Sequence, residues 1–398
     1  MIYLVKNLVL LTIVLFWYAT TSLAQDKEQF SSKVIDVQSD ISAPKIEATA
    51  WVLMEMKSGW IVSSNNANQP LPPASITKLM SNYVHYQKIA AGDINMQDQV
   101  SISEQAWRAE GSRMFANVNS KIELQHLLKS TVIQSGNDAA IALAEHVGGT
   151  EAVFASLMNK AAKELGLKNS YFMNSTGLPA EGHTMSAADI AVLSAAIIRE
   201  FPEFYSWYSE KSYTHNEITQ YNRNKLLWRD STVDGLKTGH TEAAGYCLVG
   251  SAVRNDERWI AVVLGSQSTQ IREAQVLSLL NYGFTAYESA SVLDEQGGVA
   301  SADVYFGQTD QMRLQPPYPV NIVVPKGRQK DLQIDLRISP YYEAPIKVGQ
   351  SVGVASVLLD GELLLDVPLV AMSSIEDGGF WRRTKDSVRL WLRNFLSD

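Results

Sequence analysis

The chain changes its hydrophobic period in a fixed order, and that order limits the folds open to it. Apolar runs at Ala48–Met56 and Trp60–Ser64 flank Lys57-Ser58-Gly59, which is a hairpin signal. Pro72-Pro73-Ala74 then opens a helical pattern with Ile76, Leu79, Met80 and Val84 on one face. Helical spacing recurs at about 124–132, 139–147, 151–165 and 186–199. From Tyr213 the pattern turns to strands, ending at 246–253 and 259–264, and a last helix runs near 271–287. Strands, a block of helices, more strands and a closing helix predict one α/β domain with a largely antiparallel sheet.

From about Ser289 short β-rich runs (320–324, 332–338, 352–359, 363–367) alternate with turn residues such as Asp360-Gly361, as in a separate small β domain. That stretch contains no histidine and no catalytic constellation. The final segment differs again. Trp381, Val388, Trp391, Leu392 and Phe395 recur at helical spacing, with Arg382, Arg389 and Arg393 on the other side and Arg383 and Lys385 nearby. A basic amphipathic helix with tryptophans suits an anionic membrane surface and is too polar to span a bilayer; a helix packed on the protein is the alternative.

At the other end, Lys6, the apolar run from Leu8 to Tyr18 and Ser22-Leu23-Ala24 read as a signal peptide cleaved before Gln25, or else as an uncleaved anchor; either exports the protein. The expected segments are 1–24 (leader), 25–288 (catalytic domain), 289–374 (β domain) and 375–398 (terminal helix). A single cysteine, Cys247, allows no internal disulfide, so core packing must supply stability; it sits in a run that reads as a buried strand. The net charge of −8 argues against nucleic acid as a partner.

Ser75-Ile76-Thr77-Lys78 begins the chemistry. Ser-x-x-Lys recurs at Ser42-Ala43-Pro44-Lys45, but there Pro44 disfavours a helical turn. In the Ser75 copy residues three apart share a helix face, so an amine can reach a hydroxyl, and Ser75 lies at a helix N-terminus. A serine needs a base, and lysine serves only when neutral; burial and a nearby cation both lower its pKa. Lys237-Thr238-Gly239 supplies such a cation, after an Asp234-Gly235 turn signal, on what reads as an edge strand beside the active-site helix. Lys237 can also attract a substrate carboxylate, Thr238 can donate a hydrogen bond, and Gly239 removes a side chain where substrate backbone lies close. Ser135-Gly136-Asn137 falls between two helical stretches; its Ser can relay a proton and its Asn can hold Lys78 and the substrate amide.

These three motifs occur in order, Ser75, Ser135 and Lys237 being 60 and then 102 residues apart. The arrangement resembles the penicillin-recognising serine enzymes. With Pro73–Lys78, Gln134–Asp138, Asn222-Arg223-Asn224, Val233–Thr241, the small β domain and the basic tail, the whole chain is similar to the low-molecular-mass penicillin-binding proteins, the serine D-alanyl-D-alanine carboxypeptidases of the peptidase S11 family. The resemblance implies a transpeptidase/β-lactamase-like α/β (α+β) domain, its central antiparallel sheet flanked by helices, followed by an all-β domain and an amphipathic helix. It implies that Ser75 attacks the bond between two terminal D-alanines of a peptidoglycan stem peptide, with Lys78 as general base. Backbone N–H groups of Ser75 and His240 would hold the oxyanion. Ser135 would relay protons and Asn137 position the substrate, while Lys237, Thr238, Gly239, His240 and Arg223 bind it. β-Lactams would acylate Ser75. No cofactor or metal is implied. The expected location is the periplasmic face of a bacterial inner membrane, attached peripherally by the C-terminal helix. Where some relatives carry a cysteine after Ser-Gly-Asn-Asp, this chain has Ala139 and Ala140.

A class A β-lactamase also needs Glu-x-x-x-Asn between the second and third motifs, and that spacing is missing here. Gly349-Gln350-Ser351-Val352-Gly353 fits an α/β-hydrolase elbow, but strand-like residues and no histidine follow it. Six scattered histidines and one cysteine form no metal motif. A D,D-endopeptidase or β-lactamase-like hydrolase on the same scaffold, and a membrane-tethered wall-binding protein with a vestigial site, remain as alternatives.

Overall fold

The structure, a computed structural model, describes residues 33–397 apart from 36, 38 and 295–297. The leader and its cleavage site lie outside the described residues. The chain divides into two compact units, Phe30–Glu288 and a second from Ser289 onward.

The first unit is built on a six-stranded sheet. Its strands are β1 (Lys33–Val34), β2 (Ala50–Glu55), β3 (Trp60–Asn65), β4 (Val233–Thr241), β5 (Gly245–Arg254) and β6 (Glu257–Ser266). Their spatial order is β1-β3-β2-β6-β5-β4, all antiparallel except the β1–β3 pair. The early hairpin and the late strands therefore meet in the middle, through β2 and β6, and the Lys-Thr-Gly strand β4 is left at an edge. Strands β5 and β6 are buried over most of their length, as strands covered on both faces must be.

Helices α1 (Lys78–Ala90), α2 (Leu124–Ile133), α3 (Asn137–Gly148), α4 (Glu151–Glu164) and α5 (Ala187–Glu200) form the central block, and α6 (Thr269–Ala286) packs on β5 and β6. Helix α5 is buried from Ala187 to Ile198, apolar nearly all round, and lies against β6 and β2; Ser186 caps it by accepting from Asp189 N at 3.2 Å. The expected helical start at Pro72 is instead a 3₁₀ turn, Ala74–Thr77, with α1 following from Lys78. The expected Asp234-Gly235 turn lies inside β4 as a bulge, because Asp234 is drawn aside into an ion pair with Arg258 at 2.8 Å.

The second unit holds a six-stranded sheet in the order Leu332–Ile338, Ser351–Leu359, Glu362–Ala371, Gln311–Gln315, Ala300–Tyr305, Tyr342–Glu343. Ser351 of the Gly-x-Ser-x-Gly match opens a strand rather than a helix. Helix α7 (Gly379–Ser397) follows. Its arginines turn back onto the β domain: Arg382 pairs with Asp310 at 2.7 Å, and Arg393 lies 3.5 Å from Asp303. Asp386 is buried and accepts from Phe306 N at 2.8 Å. Trp381, Val388, Trp391 and Phe395 are left exposed. The helix is thus docked through its polar face, with its apolar face outward. No helix among the described residues is long and apolar enough to cross a membrane.

Candidate active site

The 3₁₀ turn decides the geometry of the nucleophile. With three residues per turn, Ser75 and Lys78 eclipse one another, and Lys78 Nζ lies 3.1 Å from Ser75 Oγ. Lys78 is fully buried. Its amine donates to Asn137 Oδ1 at 2.6 Å and to the Thr176 carbonyl at 2.8 Å. Asn137 cannot flip, because its Nδ2 donates to the Glu110 carbonyl at 2.6 Å. Burial pushes Lys78 down to about 7, against the upward pull of Asp138 and Glu151. A neutral amine has two hydrogens and one lone pair. Asn137 and Thr176 take the hydrogens, so the lone pair faces the Ser75 hydroxyl.

Two glycines allow the turn to sit where it does. Gly177 has φ +84°, and a Cβ there would lie 1.8 Å from the Ala74 carbonyl oxygen. At Gly239 a Cβ would lie 2.9 Å from the Pro73 oxygen. The close neighbour that Gly239 requires is thus the nucleophile turn itself, where substrate backbone had been expected. Edge strand β4 packs directly on that turn.

Lys237 is buried beside the turn. Burial first, then the charges of Lys78, Arg223 and Arg272, hold it well below the usual lysine range. The two amines are thus both depressed, chiefly by loss of solvent, and the repulsion between Lys78 and Lys237 adds to it. Ser135 follows α2 with φ +71°, a backbone rare for a side-chain-bearing residue. Its buried hydroxyl has no hydrogen-bond partner among the described residues. Ser75, Ser135, Asn137, Arg223, Thr238, Gly239 and His240 all line one cleft of 820 Å³. Arg223 reaches across it to Ser112 Oγ at 3.1 Å, and the His240 ring rests on Tyr246 with centroids 4.1 Å apart.

Three features had no motif to announce them. Arg272, in the first turn of α6, donates to the carbonyls of Gly239 at 3.0 Å and Cys247 at 3.1 Å, pinning the catalytic strand from behind while lining the cleft. Thr176 contributes through its backbone alone. Asp138 accepts from Met114, Phe115 and Ala116 N–H at 2.9, 3.0 and 3.2 Å and so secures the loop that carries Glu110 and Ser112. Among the described residues no cluster of three His, Cys, Asp or Glu is arranged to hold a metal. Cys247 is buried, and burial pushes its thiol up to about 11. The second Ser-x-x-Lys copy is irregular, its Lys45 exposed and paired with Glu47 at 2.9 Å.

The profile of the family described as D-alanyl-D-alanine carboxypeptidase matches residues 37–268, and that described as the penicillin-binding protein 5 C-terminal domain matches 287–377. The D-alanyl-D-alanine carboxypeptidase DacC of Escherichia coli is 37% identical over 380 residues, covering 92% of this chain and 95% of the relative. This chain belongs to the D-alanyl-D-alanine carboxypeptidase family. Penicillin-binding protein 5 of Haemophilus influenzae superposes with a TM-score of 0.82 at 37% identity, over 85% of this chain and all of that one. Penicillin-binding protein D2 of Listeria monocytogenes, in its ampicillin-bound form, matches at 26% identity and a TM-score of 0.57, over 61% of this chain and all of that one. The family's fold, a mixed α/β penicillin-recognising domain with an all-β C-terminal domain, is the one described above.

Proposed function

We propose that this chain is a serine D-Ala-D-Ala carboxypeptidase that removes the terminal D-alanine from peptidoglycan pentapeptide stems. The observation that carries the reading is the Lys78 amine, buried and with both hydrogens committed, facing the Ser75 hydroxyl at 3.1 Å. Lys78 takes the Ser75 proton as Oγ attacks the penultimate D-alanine carbonyl. Backbone N–H groups of Ser75 and His240 hold the oxyanion. Ser135 passes the proton to the leaving amine, and its unpartnered hydroxyl is free to do so. D-Alanine departs, and water hydrolyses the Ser75 ester. Asn137 orients the acyl amide. Thr238 and Arg223, with the charge of Lys237, receive the terminal carboxylate, whose arrival restores the proton affinity that burial takes from Lys237. A β-lactam presents a strained amide and a carboxylate to the same groups and acylates Ser75.

Residues 25–288 form the catalytic part, 289–374 the β domain and 375–398 the anchor, on a protein held at the periplasmic face of the inner membrane. The outward apolar face of α7 supports peripheral attachment. The deciding assay compares D-alanine release from a pentapeptide stem with cleavage of a crosslinked dimer. Release from the stem is expected; cleavage of the dimer alone would make the enzyme an endopeptidase.

A further inference from the structure

Arg223 is exposed between two buried asparagines, and both of these bond to backbone. Asn222 Nδ2 donates to the carbonyls of Tyr208 at 3.2 Å and Glu210 at 3.0 Å, and its Oδ1 accepts from Asn224 N at 2.9 Å. Asn224 Nδ2 donates to the Gly235 carbonyl at 2.9 Å, and its Oδ1 accepts from Leu226 N at 3.1 Å. A carbonyl only accepts and a backbone N–H only donates, so the Asn224 amide has one orientation.

These contacts tie together separate parts of the site. Arg223 N donates to the Ile133 carbonyl at 3.2 Å, at the end of α2 and just ahead of Ser135. Asn224 reaches β4 at Gly235, just ahead of Lys237. The segment 222–224 therefore sets how far Arg223 stands from Lys237. Electrostatics alone would part those two groups. The charge of Arg223 bears on Lys237, and among the described residues the cleft walls carry Arg223, Lys225 and Arg272 and no carboxylate. Cations that converge with no anion between them repel. An amide tether opposes that repulsion without neutralising either cation, as a carboxylate at the same place would.

We propose that Asn224 is a positioning residue for substrate selection: its bond to the Gly235 carbonyl holds Arg223 and Lys237 at the spacing that one terminal carboxylate requires. This rests on the carboxypeptidase reading above, in which those two groups receive that carboxylate. Asn224 is buried behind Arg223 and acts through it.

The test uses the full chain and two thioesters of the same N-acyl-D-alanine, scored as kcat/KM for thiol release. In one the leaving group is thioglycolate, which carries a carboxylate where the terminal D-alanine does; in the other it is the methyl ester of thioglycolate, which carries none. The ratio of the two does not depend on how much of a sample is folded. The unaltered enzyme prefers the carboxylate about tenfold or more, the worth of a hydrogen bond to a charged group. Asn224→Ser keeps a short acceptor for Leu226 N but cannot reach Gly235. Its preference falls about threefold or more, and the same change made in Arg223→Gln leaves the ratio where Arg223→Gln alone puts it. Equal slowing of both thioesters in Asn224→Ser overturns the positioning role, as does a further fall of the ratio in the Arg223→Gln background or equal rates in the unaltered enzyme; each leaves the activity standing. Absence of thiol release from both thioesters overturns the carboxypeptidase reading and the positioning role with it.

Discussion

The Asn137 side chain grips Lys78 on one side and the Glu110 carbonyl on the other, each at 2.6 Å. That double contact sets which atom of the amide meets the amine and keeps the amine's lone pair on Ser75. Asn137→Asp puts a carboxylate in the same place and favours the ammonium form. Acylation by a fluorescent penicillin should fall at least about 100-fold at neutral pH, and its acid limb should move to higher pH. Asn137→Ala should lose rate without that alkaline displacement. A profile for the Asp variant that coincides with the unaltered enzyme would show that Asn137 does not touch the base.

The pH dependence has a definite sign. Lys78 works only when unprotonated, and burial places its pKa at about 7. Acylation should therefore rise about tenfold per pH unit below that value and level off above it. Asp138 raises the Lys78 pKa, so Asp138→Asn should carry the acid limb to lower pH, although the loop it anchors is weakened. A limb that stays put or moves upward would contradict the assignment of Lys78 as base.

Gly177→Ala tests the turn rather than the chemistry. Left-handed backbone and a Cβ 1.8 Å from the Ala74 oxygen together predict a loss of about 3 kcal/mol or more. Thermal unfolding should report it, along with slower acylation at temperatures where the variant is folded. Unchanged stability would mean that the loop and the turn are not in contact.

Much of this was legible in the residues. The hairpin, the helical block and the returning strands follow from hydrophobic period, and the edge position of Lys237 follows from what a substrate strand requires. Ser75 could be told from Ser42 because its flanking sequence specifies a turn into a helix, whereas Ser135 stood out only by its place in order between Ser75 and Lys237. Arg272 and Thr176 were not legible. Arg272 sits in an ordinary first turn of a helix, and its role comes from β4 and β5 passing in front of it. Thr176 acts through a carbonyl, which every residue possesses. The bulge at Asp234-Gly235 was hidden for a related reason, since the Arg258 that draws Asp234 aside lies two strands away.

The terminal helix carries its own prediction. Its arginines are engaged by Asp310 and Asp303, so the exposed aromatics should dominate attachment. Trp391→Ala with Phe395→Ala should release more protein from vesicles than Arg389→Gln, and truncation before Gly379 should release it fully with catalysis preserved. Binding lost equally with each change would point to lipid charge as the driving force.

Intact-mass analysis after incubation with a β-lactam tests the central claim most directly. One antibiotic per chain should be added, mapped by peptide sequencing to Ser75, and none should be added in Ser75→Ala. An adduct that persists in Ser75→Ala, or maps to another residue, would contradict the account.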